Sequence, residues 1–155
     1  MKIRVLWPGK THDENLKKLE ENYLKKINQM ETCEIVVTKE AKGLTEKHAD
    51  KIMKIESEGL EKYFKDGYIV CLYDKGKPMS SKEFMKLLQD AALSSNRILS
   101  FVVGGFLGLE DRILRRADLV LSLSHMTFSH ELARVMLLEQ IYRSLSQIKG
   151  RKYAK

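Results

Sequence analysis

The chain has 155 residues, 43% hydrophobic and 32% charged, a balance that fits a single folded domain spanning residues 1–155 and excludes wholesale disorder. Cys33 and Cys71 lie far apart inside apolar runs, so neither a disulfide framework nor a CxxC metal or redox pair exists, and a reducing cytoplasm suits them. Of the formal net charge of +7, five charges sit in residues 143–155, where Arg143, Lys149, Arg151, Lys152 and Lys155 meet no acid.

Apolar runs alternate with helical patterns from end to end. Residues 3–7 read as a first strand stopped by Pro8-Gly9, and Thr11 with Glu14 reads as a capping box for a helix carrying Leu16, Leu19, Tyr23 and Ile27. Residues 34–38 are rich in β-branched side chains and predict a second strand. A charged loop at 39–44 precedes a helix with Ile52, Ile55, Leu60, Tyr63 and Phe64 on its apolar face, ended by Gly67. The unbroken apolar run 68–73 predicts a strand buried on both faces, followed by a turn at 74–78. Ser80 with Glu83 forms a second capping box ahead of Phe84, Leu87, Leu88 and Ala91. A fourth strand at 98–103 runs into Gly104-Gly105, a short helix lies near 110–115, and a fifth strand occupies 119–123. A loop at 124–129 then leads to a helix at about 130–147, with Ser129 as its N-cap.

This alternation predicts one α/β domain with a mainly parallel sheet. The last helix is apolar around nearly its whole circumference, through Leu132, Val135, Met136, Leu137, Leu138, Ile141, Tyr142 and Leu145. Such a helix needs cover on both sides, from a partner subunit or from its own chain. The basic tail, about 148–155, implies a localised anionic partner, most simply nucleic acid. No apolar run reaches the roughly 18 residues of a membrane span, and residues 1–7 are too short and polar for a signal peptide.

Gly9-Lys10-Thr11 has the closing residues of a P-loop, but Arg4 stands where that motif's first glycine belongs. The segment Gly104-Gly105-Phe106-Leu107-Gly108-Leu109 lies where open α/β sheets bind ligands, at the carboxyl end of a buried strand, and glycines there permit close backbone approach. The loop Leu123-Ser124-His125-Met126-Thr127-Phe128 follows the next strand and lines the same crevice in this reading. His130 and Arg134 are one helical turn apart, as are Glu139 and Arg143; the second pair reads as structural.

Taken in order, several segments resemble the ribosomal RNA large subunit methyltransferase H family of the SPOUT superfamily. These are Val70-Cys71-Leu72, Gly76-Lys77-Pro78, Val102-Val103-Gly104-Gly105 with Gly108-Leu109, Leu121-Ser122-Leu123-Ser124, Met126-Thr127-Phe128 and His130. Arg134-Val135, Glu139-Gln140-Ile141-Tyr142-Arg143 and Tyr153 complete the series, which covers essentially the whole chain. Ser129 stands where the family often has proline, Leu107 where an acid is common, and Ala154 where the tail usually has histidine.

The resemblance implies a trefoil knot at the carboxyl end, a homodimer with the last helix at the interface, and S-adenosylmethionine as methyl donor. It places the donor against Leu72, Gly104, Leu123, Ser124, His125, Met126, Thr127 and Phe128. It further implies a cytoplasmic enzyme that methylates N3 of a pseudouridine in helix 69 of large-subunit ribosomal RNA on the assembled ribosome. For that chemistry His130, Arg134 and Arg143 are the candidate catalytic residues, and Lys149, Arg151, Lys152, Tyr153 and Lys155 the candidate RNA contacts. No metal is assigned. Two alternatives stay open: another nucleotide-binding α/β enzyme, and a ribosome-associated protein without catalysis.

Overall fold

A computed structural model describes residues 1–95 and 97–152 of the chain. In chain order the elements are β1 (Lys2–Pro8), α1 (Glu14–Asn28), β2 (Thr32–Thr38), a 3-10 turn (Glu46–His48), α2 (Ala49–Glu61) and β3 (Tyr68–Pro78). They continue with α3 (Ser81–Leu93), β4 (Ile98–Val102), α4 (Asp111–Arg116), β5 (Leu119–Ser122) and α5 (His130–Ile148). The five strands form one sheet in the order β2-β1-β4-β3-β5, and every pairing is parallel.

Strand alternation divides the apolar residues between two layers. Ile3, Val5, Trp7, Val70, Leu99 and Phe101 face a core completed by Ile27 of α1, Phe84 and Leu88 of α3, and Leu137, Leu138, Ile141 and Leu145 of α5. On the other face Leu6, Ile69, Cys71 and Val102 pack with Leu60 of α2 and Ile113 of α4. The sheet is thus covered on both sides, which explains why its central strands are apolar without a break. Cys33 and Cys71 are buried free thiols, and burial pushes both up to about 12.

Three local expectations are corrected. First, α1 is capped by Asp13, whose carboxylate accepts from the N–H groups of Asn15 and Leu16, while Thr11 is buried and bonded elsewhere. Within α1, Leu19 is 43% exposed and Glu20 takes the buried position. Second, α2 ends at Glu61, and Gly67 (φ +89°) serves instead as a left-handed entry into β3, where a Cβ would stand 2.4 Å from the Ile98 carbonyl oxygen.

Third, the segment predicted as a turn after Tyr73 belongs to β3. The strand leaves β5 after Leu72 and rejoins it at Lys77, both residues pairing with Leu121. Of the two covers open to α5, its own chain supplies one, through α1 and α3, with Val135, Leu137, Leu138, Ile141 and Leu145 buried. The Ser80–Glu83 capping box and the Ser129 N-cap form as predicted. No helix among the described residues is long and apolar enough to cross a membrane.

Candidate functional site

Three adjacent strands, β4, β3 and β5, end on the same side of the sheet, and a cleft of about 550 Å³ opens beyond them. That size suits a small ligand or cofactor. β3 contributes Leu72, Tyr73 and Asp74; the loop after β4 contributes residues 104–109; the loop after β5 and the first turn of α5 close the remaining wall with His130 and Ala133.

The glycine loop folds back on itself. The Gly108 N–H donates to the Gly105 carbonyl at 2.9 Å, and a Cβ on Gly104 would stand 2.6 Å from the Gly108 carbonyl carbon. Only glycine at 104 lets the two passes of backbone lie this close, and the result is a wall made largely of main chain. Opposite, the β5 loop is tied to β3. The Ser122 hydroxyl lies 2.9 Å from the carbonyl oxygens of both Asp74 and Ser124. The Thr127 hydroxyl donates to the Asp74 carboxylate at 3.2 Å, and the Met126 N–H donates to Ser124 Oγ at 3.0 Å. A main-chain cradle, apolar flanks and a few fixed polar groups fit a small organic ligand better than a bare ion.

Of the eight residues expected at the donor, Leu72, Gly104, Leu123, Ser124, Met126, Thr127 and Phe128 line this cleft, whereas His125 is exposed and lies outside its lining. Tyr73 and Asp74 line it without having been singled out, because residues 74–78 read as a turn; their place at the carboxyl end of the apolar run 68–73 is the signal that would have found them.

The three candidate catalytic residues separate. His130 lines the cleft, and burial, reinforced by the positive charge of Arg134, holds its imidazole below the usual histidine range despite Glu131 and Glu40 nearby. A neutral ring can accept a proton. Arg134 is fully buried and does not line the cleft. Its guanidinium donates to Thr11 Oγ1 at 3.0 Å and to the Pro8 carbonyl at 2.8 Å, and lies 4.8 Å from the Trp7 ring centre. Thr11 in turn donates to Glu20, so a buried cation and a buried carboxylate share one hydroxyl. The expectation that Arg134 faces a ligand is corrected: it locks the β1–α1 loop to α5. Glu131 does the same from outside, accepting from the N–H groups of His12 and Asp13 at 3.0 Å each.

Arg143 pairs with Glu139 at 3.3 Å and does not line the cleft. At 1.5 Å per residue it lies roughly 20 Å along α5 from His130. Lys149, Arg151 and Lys152 are exposed beyond the far end of α5, whereas Tyr153 and Lys155 lie outside the described residues.

Comparison with known proteins gives this arrangement a family. The model described as "Predicted SPOUT methyltransferase" matches residues 1–154. The ribosomal RNA large subunit methyltransferase H of Alkaliphilus oremlandii is 38% identical over 159 aligned positions, covering 100% of both chains. The protein of that name from Clostridium kluyveri is 37% identical, again over 100% of both. A probable methyltransferase from Bordetella pertussis has a similar fold (TM-score 0.59, 14% identity, 93% of this chain and 96% of that one). So does a putative methyltransferase from Legionella pneumophila, solved with bound S-adenosylmethionine (TM-score 0.53, 16% identity, 93% of this chain and 66% of that one). A family model matching nearly every residue and full-length relatives well above 30% identity lead to one conclusion: the chain belongs to the SPOUT methyltransferases.

Proposed function

We propose that the protein methylates N3 of a pseudouridine in helix 69 of large-subunit ribosomal RNA, on the assembled ribosome, with S-adenosylmethionine as donor. The observation that carries this reading is end-to-end similarity to relatives named ribosomal RNA large subunit methyltransferase H. Bound in the cleft, S-adenosylmethionine supplies a methyl group on a positively charged sulfur.

The chain's residues supply the rest. The main chain of the glycine loop, the loop after β5 and Leu72 would hold the donor. N3 of the base carries a proton that must leave before or during attack, and the neutral His130 imidazole accepts it. Holding the two reactants in line contributes most of the acceleration, since well-oriented partners gain roughly 7–11 kcal/mol in favourable cases.

The same reading includes a trefoil knot at the carboxyl end, a homodimer and a cytoplasmic enzyme. Support for the dimer comes from α5. Its 19 residues put the start of the basic tail roughly 28 Å from His130 of the same chain. Leu132 remains 36% exposed on the helix, and Met136 and Tyr142 half-buried. A second subunit laid on α5 would cover these residues, and its Arg143, Lys149, Arg151 and Lys152 would add to the basic surface offered to RNA. Ribosomes and separated subunits, incubated with the enzyme and methyl-labelled donor, test the substrate. Label is expected in large-subunit RNA from assembled ribosomes, and label confined to free subunits or to small-subunit RNA overturns the reading.

A further inference from the structure

One buried carboxyl group next to the cleft has no part in the chemistry above. Glu56, on α2, is 5% exposed, and its Oε1 has no hydrogen-bond partner among the described residues. That same oxygen lies 2.7 Å from the point where a Cβ on Gly105 would stand. Gly105 lines the cleft, so a single residue without a side chain separates the carboxyl group from whatever binds there. Any other residue at 105 would drive the carboxyl away. A buried carboxyl with an unmatched oxygen is costly, and that cost is offset when a positive charge arrives within reach through a low-dielectric wall.

We propose that Glu56 is the anionic counterpart of the donor's sulfonium, acting across Gly105, and that it sets the preference of the cleft for the charged donor over its uncharged product. The inference rests on the donor cleft described above and adds a residue to it. Burial pushes the Glu56 carboxyl above its ordinary range and Glu40 adds to this, while the Ala41 N–H and the more distant Arg134 charge oppose it only in part. A cation in the cleft favours the ionised form. Glu56 touches neither reactant in this account; it is a positioning and specificity residue, not a catalytic one.

S-adenosylmethionine and S-adenosylhomocysteine differ by the methyl group and the positive charge on sulfur, so their affinity ratio isolates the effect. In calorimetric titrations Glu56→Gln should weaken S-adenosylmethionine by about tenfold and S-adenosylhomocysteine by less than about twofold, as expected for one charge pair across a short, partly shielded distance. Glu56→Asp keeps the charge and withdraws it by one methylene, and its ratio should fall between wild type and the Gln variant; it also serves where Gln does not fold. Equal loss of both ligands in either variant, or no change in the ratio, overturns the proposal. Wild-type protein that binds neither ligand contradicts the donor-cleft reading itself, and the inference falls with it.

Discussion

His130 and Arg134 stand one turn apart on α5, yet their surroundings give them different work. His130 meets the cleft as a neutral ring, so His130→Ala should retain donor affinity while slowing methyl transfer by about 100-fold; a wild-type rate contradicts its role as base. Burial and the Arg134 charge hold its pKa below the ordinary histidine range, so protonation disables it only in acid. Single-turnover rates should therefore climb with pH to a midpoint below the ordinary histidine range and stay flat above it. Arg134 acts on stability. Arg134→Met strips Thr11 and the Pro8 carbonyl of their partner and leaves Glu20 buried without its cation, at a cost of about 3–5 kcal/mol in denaturant unfolding. An unchanged unfolding midpoint contradicts that role. Helical spacing places both residues on one face but is silent on reach: the long guanidinium turns inward, to acceptors on a loop distant in sequence. Glu56 was illegible for the same reason, since what makes it notable is a glycine on another element.

At the scale of elements, periodicity served well wherever burial is decided locally. The alternation of strands and helices, both flanking layers and the Ser80 capping box follow from short-range pattern. The misreadings arose where two local signals competed or where pairing partners were distant. Asp13 lies nearer the first helical turn than Thr11, and it won the cap; β3 continues past Asp74 because β5 offers it a second pairing at Lys77. The glycine loop was legible in place but not in shape. Gly104→Ala puts a methyl group 2.6 Å from the Gly108 carbonyl carbon, so the loop must open. Donor binding should fall by at least about tenfold while the far-ultraviolet dichroism stays that of the wild type, since the strain is confined to one loop. Undiminished binding contradicts the view that the doubled-back main chain forms the donor wall.

For the whole molecule, sequence pattern predicts a parallel sheet without its order, because the order β2-β1-β4-β3-β5 depends on which strands meet after the chain crosses over. The charge excess in residues 143–155 is visible in the sequence, and the structure puts the first part of that segment in the last turns of α5, remote from the cleft. Removing residues 149–155 should weaken ribosome binding, flatten its salt dependence and leave donor affinity largely intact. Ribosome affinity equal to that of the full chain contradicts an RNA-holding tail. The central claim, methyl transfer to N3 of a pseudouridine, is tested most directly by nucleoside mass spectrometry. Ribosomes pseudouridylated in helix 69 would be incubated with the enzyme and S-adenosylmethionine, and their RNA digested. A new 3-methylpseudouridine mapping to helix 69 is the predicted result; a methyl group on any other nucleoside, or no product from enzyme that binds the donor, contradicts it.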